Sequence, residues 1–313
     1  MITILSSPKP FENESDWNQL NALRSWRSIG KNVEIIVFGD VPGIKNAVRE
    51  VGAVHISGIE TSSTGAPSFN AMVNYANIEG KYDLQIYVNC DILLNFNIIK
   101  SMQISFEKFN KFLLVGERLD LKEKIKIDTQ YPHWEIGLYN LVEHAQLKPH
   151  GPTGVDYFGF VRGLWGNLPN VYMGRAMCDQ ALLHYCHKNQ IPIIDASQVV
   201  TAIHQFHDYS HLDRGKLEVT EGSDKKTMAT LHGLKYSLPT ISDSNFFIDK
   251  NGLIINKHQN FFRKIELILR YRYNLPKFSL LFRVFQYFNK KNIRPFCIPV
   301  RMTIDSWDYF NKN

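Results

Sequence analysis

Only four of the 313 residues are cysteine (Cys90, Cys178, Cys186 and Cys297), and no two of them form a C-x-x-C pair. That usage does not fit a disulfide framework, and reduced thiols in a cytoplasmic protein are expected. No window approaches the roughly eighteen uninterrupted apolar residues of a membrane span, so a soluble or peripheral protein is expected. A charged leader followed by a long apolar stretch is lacking too, and MITILSSPKPF reads as a first strand. Internal repeats and low-complexity tracts are missing. What is present is core material: 44% of residues are hydrophobic and 12% aromatic, which excludes disorder and collagen-like architecture. The length suits one large α/β domain or two smaller ones.

Acid is scarce at one end only. The chain has 36 Lys+Arg against 30 Asp+Glu, a net charge of +6. Between Lys257 and Arg301 stand eleven basic residues and one acid, Glu266, leaving 25 basic and 29 acidic residues elsewhere. A slightly acidic body therefore carries a strongly basic tail. The net charge is no argument for nucleic acid, and no nucleic-acid partner is expected.

Apolar stretches at 2–5, 33–38, 54–56 and 84–88 alternate with helical stretches at 16–28 and 44–51. A third helix follows the 61–67 loop, where Phe69, Met72, Val73 and Ala76 recur at helical spacing. Runs of this kind predict an α/β fold: a mixed, mainly parallel, Rossmann-like sheet with helices on both faces. From 112 onward the pattern is mixed, with strands at 112–115, 157–161, 191–194 and 199–204, a helix at 177–187 and a charged loop at 119–130. Residues 216–256 are polar and irregular and read as a connector or flap. Ligands of such sheets bind beyond the carboxyl ends of the strands. That rule singles out Ser6-Ser7-Pro8, Gly39-Asp40 and Asn89-Cys90-Asp91.

Four groups of residues can carry chemistry, and each has a plainer alternative. Asp91, leaving a central strand, can hold Mg²⁺ or Mn²⁺ against a diphosphate, or it can cap the next turn. His204, His207 and His211 follow an apolar strand and can ligate a metal or bond to loop backbone. Asp179 opens a helix, where it can act as a general base or favour the helix dipole. The stretch Pro152-Thr153-Gly154-Val155-Asp156-Tyr157-Phe158 offers hydrogen-bonding and stacking groups suited to a sugar, or it is a turn entering a strand.

In combination, an acid after a central strand, an acid opening a later helix, and a histidine after the following strands resemble the GT-A-fold glycosyltransferases. The resemblance covers roughly residues 1–215 and is nearest to bacterial polysaccharide-assembling members. It implies a catalytic domain divided into a nucleotide-sugar-binding half, 1–111, and an acceptor half, 112–215. Asn89-Cys90-Asp91 lies where the family has its Asp-x-Asp motif, with the uncharged Asn89 in the first position. By the same resemblance Asp91, His204 and, in reserve, His207 hold a divalent cation, Mn²⁺ or Mg²⁺. Ser6, Ser7, Pro8, Gly39, Asp40 and Asn70 contact the nucleotide, Asp156, Tyr157 and Arg175 face donor sugar or acceptor, and Asp179 is the base of an inverting transfer. The implied partners are a nucleotide-diphosphate sugar and a glycan or lipid-linked glycan. Two other classes stay open: a nucleotidyltransferase, although SSPKPF lacks the usual Gly-rich basic loop, and a non-catalytic carbohydrate-binding protein.

In the tail (257–313), Phe261, Phe262, Ile265, Ile268 and Leu269 share one helical face, and after Pro276 so do Phe278, Leu281, Phe282, Phe285 and Phe288. Basic amphipathic helices with aromatic anchors suit an anionic membrane surface, here through 257–301, which would place the protein peripherally on the inner face of the membrane. The alternative is helices packed back onto the body.

Overall fold

Strands β1 (Ile2–Ser6), β2 (Val33–Phe38) and β4 (Leu84–Val88) are buried along their whole length in the computed structural model, which describes residues 1–121, 147–206, 216–234, 238–257 and 261–272. A strand covered on both faces needs no polar alternation, and successive side chains simply enter two different cores. In β2, Val33, Ile35 and Val37 join one core, while Ile36 and Phe38 join the other. The first core takes Leu23 and Trp26 of α1 (Asn13–Ser28), Val48 of α2 (Ile44–Val51) and Met102 of α4 (Asn97–Lys108). The second takes Phe69 and Met72 of α3 (Phe69–Glu79) and Leu182 of α5 (Cys178–Lys188). The layers are therefore helix, sheet, helix, as the apolar runs predict.

The main sheet has nine strands in the order β13-β12-β10-β6-β9-β4-β1-β2-β3. Here β3 is Val54–Ile56, β6 Leu113–Val115, β9 Tyr157–Val161, β10 Ile193–Asp195, β12 Phe246–Asp249 and β13 Gly252–Ile255. The pairs β1·β2, β2·β3, β1·β4, β6·β10 and β10·β12 are parallel, whereas β9 runs antiparallel between β4 and β6. The chain winds outward from β1 through β2 to β3, then returns to place β4 on the other side of β1. That reversal opens a crevice at the carboxyl ends of β1 and β4. A second sheet, β5-β11-β7-β8, stands beside it, built from Ile92–Leu94, Ala202–His204, Leu119–Leu121 and Leu147–Pro149.

Three segments differ from expectation. The charged loop expected at 119–130 begins as strand β7, with Leu119 and Leu121 buried on either side of the half-exposed Asp120; three residues are too few to show a period. Residues 122–146 lie outside the described part. The connector expected at 216–256 holds helices α6 (Lys216–Glu221) and α7 (Ser223–Leu231) and then the hairpin β12–β13, which extends the main sheet. Its signal was the Asn251-Gly252 pair: Gly252 has φ of +113° and the Asp249 carboxylate accepts from Asn251 N at 2.7 Å.

The third difference concerns the tail, whose described portion is Lys257 and helix α8 (Phe261–Tyr271). The apolar stripe is divided between solvent and body: Phe261 is 69% exposed and Ile268 41%, while Ile265 and Leu269 are half-buried. Buried instead are Glu266 and Leu267, while Arg263 donates to Asp243 at 2.6 Å and pairs with Glu266 at 2.9 Å. Tyr271 stacks on His187 at 5.1 Å between ring centroids, and its hydroxyl lies 3.0 Å from His184 Nδ1. The packed face thus combines the Arg263 ion pairs with part of the apolar stripe.

The histidines under α8 give a pH expectation. Burial, foremost, pushes His184 down to about 3 and His187 to about 4 from the ordinary 6.5. Each is neutral when folded and protonates more readily when unfolded. Stability is therefore full above about pH 6.5 and falls below it, by up to about 1.4 kcal/mol per pH unit per histidine. Thermal melts between pH 5 and 8 should show this fall, and His187→Phe should flatten part of it.

Candidate active site

The crevice is fixed from below by Ser6, whose buried hydroxyl donates to Val88 O at 2.7 Å and ties the end of β1 to the end of β4. Asn89 follows. Its backbone N–H donates to Asp156 O at 3.0 Å and its side-chain amide to Asp156 Oδ1 at 2.5 Å. The other Asp156 oxygen accepts from Arg118 Nη1 at 2.7 Å, while Arg118 Nε donates to Asp120 Oδ1 at 2.8 Å. His150 Nδ1 lies 2.6 Å from Asp120 Oδ2.

The second sheet completes the arrangement. Its register sets His204 opposite Ile92 on one side and Asp120 on the other. His204 Nδ1 is thus 3.7 Å from Asp120, and its Nε2 is 3.9 Å from Asp91 Oδ2. Lys9 Nζ meets that same Asp91 oxygen at 3.0 Å. The Asp91 carbonyl accepts from the backbone N–H and the side-chain amide of the buried Gln205, at 3.3 and 3.1 Å. Asp91, His204, Asp120, Arg118, Asp156 and Asn89 form a continuous polar chain along the crevice.

Asp179 joins this chain electrostatically. It stands in the first turn of α5, two residues after Met177, the helix's N-cap and a non-glycine residue at φ of +79°. Left-handed backbone of this kind costs about 1 kcal/mol or more and concentrates at functional sites. Cys178 Sγ donates to Asp179 Oδ1 at 3.0 Å. Loss of hydration, and after it the charge of Asp156, raise the Asp179 carboxyl from 3.8 to about 7, with Arg118 pulling the other way. A carboxyl near neutrality can exchange a proton at working pH.

The remaining expected residues are dispersed. Ser7 is half-buried beside Gly39, whose φ of +120° turns the chain out of β2, and Pro8 is buried. Asp40 accepts from Gly58 N at 2.7 Å, on the crevice's outer rim. Asn70 bridges Leu168 O and Val171 N at 2.8 and 2.9 Å, holding a loop. Arg175 pairs with the buried Asp224 at 3.3 Å. Tyr157 is a correction: its ring is fully buried in the first core, under Gly116, where a Cβ would collide with its hydroxyl, so it cannot touch a sugar. His207 and His211 lie outside the described residues.

Lys9, Arg118, Asp120, His150 and Gln205 are the members that sequence reasoning missed. Asp120 fell in a segment taken for a loop, Arg118 stood just before it, and His150 is brought near by pairing of β7 with β8. Gln205, next to His204, and Lys9, next to Pro8, stood where a signal could have shown them.

Among the described residues the donor set does not fit the expected cation; His207, its reserve ligand, lies outside them. Among the described residues no group of three or more His, Cys, Asp or Glu side chains could hold a metal ion. The Asp91 oxygen nearest His204 already faces an ammonium, the two His204 nitrogens face different acids, and Asn89 brings an amide engaged with Asp156. A dication at Asp91 would meet strong repulsion from Lys9.

No protein-family model matches the sequence, and no curated relative does. Among solved structures, S. aureus TarS 1-349 in complex with UDP-GlcNAc is similar at 13% identity over 40% of this chain and 36% of that one, with a TM-score of 0.29. This chain thus spans about a third of the TarS structure's length. Glucosyl-3-phosphoglycerate synthase from Mycobacterium tuberculosis, in complex with Mg²⁺ and UDP, is similar at 10% identity over 76% and 81% of the two chains, with a TM-score of 0.46.

Proposed function

We propose that this chain is a GT-A-type glycosyltransferase. It moves a sugar from a nucleotide-diphosphate donor to a hydroxyl of a glycan or lipid-linked glycan in surface-polysaccharide synthesis, with inversion. One observation supports this: Asp179, in the first turn of α5, feels the charges of Asp156 and Arg118 and sits at about 7, and the polar chain through Arg118, Asp120 and His204 leads on to Asp91. Ser7 and Pro8 follow the end of β1 and Gly39 and Asp40 that of β2, which suits the nucleotide. Asp156 and Arg118 border it toward α5, which suits the transferred sugar. Asp179 accepts the acceptor's hydroxyl proton as its oxygen attacks the anomeric carbon, and the nucleoside diphosphate leaves from the opposite face. Inversion follows from that single displacement.

The acceptor is met at a membrane surface in this proposal, supported by the exposed Phe261, Lys264 and Ile268 of α8. No helix among the described residues is long and apolar enough to cross a membrane.

The test is incubation of the protein with a panel of nucleotide sugars and glycan acceptors, reading the released nucleotide and the product anomer by NMR. Nucleoside diphosphate release with an inverted anomer is expected. Pyrophosphate release would indicate nucleotidyl transfer, and a retained anomer would remove the base role from Asp179.

A further inference from the structure

We infer that Lys9 is the fixed positive charge that receives the departing diphosphate, in the place where a divalent cation is expected. The assignment rests on the donor reading above and deepens it. Lys9 follows β1 at the sheet's reversal, and its ammonium reaches Asp91 Oδ2 at 3.0 Å. Its backbone is held at both polar atoms by one buried side chain. Lys9 N donates to Gln19 Oε1 at 2.7 Å, and Gln19 Nε2 donates to Lys9 O at 3.0 Å. Gln19 is 2% exposed on α1, so it anchors the loop to the first core's own helix. Pro8 and Pro10 flank Lys9, fixing φ on both sides and disfavouring helical backbone at Lys9 itself. A surface lysine loses rotamer freedom when it binds; this one is ordered beforehand, with its side chain still 30% exposed at the crevice mouth.

The chemistry balances without a metal. The bond between the anomeric carbon and the β-phosphate oxygen breaks, and its electron pair stays on that oxygen. The new negative charge is stabilised by the Lys9 ammonium, which keeps its proton, where preorganised charge is most effective. The acceptor oxygen bonds to the anomeric carbon, and its proton passes to Asp179. Asp91 here orients the ammonium, and His204 Nε2 stands 3.9 Å from the same Asp91 oxygen.

The test is titration calorimetry of the full chain with UDP, GDP and ADP and with the corresponding monophosphates, each in EDTA and in Mn²⁺. The expected result is diphosphate binding that persists in EDTA. Lys9→Met should weaken it about 10- to 100-fold, the range for a charge-assisted hydrogen bond, with monophosphate binding little changed. Lys9→Arg should restore most of the loss, and wild-type binding in EDTA decides the matter even if Lys9→Met does not fold. Diphosphate binding that vanishes in EDTA, returns with Mn²⁺ and ignores Lys9→Met overturns the assignment while leaving the donor reading intact. Absence of binding by all three diphosphates in both conditions overturns the donor reading, and the Lys9 assignment with it.

Discussion

Asp179→Asn lowers the transfer rate about 10²- to 10⁴-fold, the contribution of a positioned proton acceptor, and leaves donor binding nearly intact. The side chain keeps its shape and its place in the first turn of α5 but cannot take a proton. Because the wild-type carboxyl sits at about 7, kcat/KM should rise tenfold per pH unit below that value and level off above it. The same shift has an opposite sign for stability. A carboxyl raised from 3.8 to about 7 favours the folded state only while protonated. Its ionisation therefore costs stability as pH rises from about 4 to 7. Asp179→Asn should consequently melt higher than wild type at pH 8 while being nearly inactive. Near-wild-type turnover, or a pH profile flat across 6 to 8, would remove Asp179 from the base role.

Arg118→Met is expected to be the most destabilising change in the crevice, by about 3 kcal/mol or more, since it strands a buried carboxylate. Arg118 touches both Asp156, whose side chain is 7% exposed, and Asp120. Burial works against its charge, but Asp156 and Asp120 more than compensate and raise its pKa above the ordinary arginine range. Neutralising the stranded partner in Arg118→Met/Asp156→Asn should recover most of the loss, a coupling that denaturant titration of the four proteins measures. If the single and double variants are equally unstable, Arg118 acts through packing and not through charge. Any residual activity of Arg118→Met should also have its pH profile displaced upward, because Arg118 is the cation that holds Asp179 down.

How much of this was legible in the sequence follows from the physics of each element. Strands β1, β2 and β4 were plain because burial on both faces leaves uninterrupted apolar runs. The acids at their ends were plain because topology puts ligands there. The second sheet was not legible: each of its strands has three described residues, fewer than a period needs, and their pairing depends on contacts such as His204 with Asp120 across a long stretch of chain. Tyr157 misled because a strand's first residue can point to either face, and here it faces the core. The packed face of α8 was legible only in part, for a different reason. A hydrophobic stripe ranks faces by apolarity alone and gives no weight to Arg263 finding Asp243.

Strand β9 sits in the middle of the sheet yet is made late. β4 and β6 precede it, face each other across the gap it fills, and have no direct pairing of their own. Asp156 stands at its head and supplies both bonds to Asn89. Pairings so distant along the chain form slowly. Until residues 157–161 arrive, two apolar strand edges are open to wrong partners, a hazard during synthesis. Insertion of that one strand then closes the sheet and brings Asp156 to Asn89 in the same event. A partly folded molecule can therefore have most of its helices and an open crevice without Asp156.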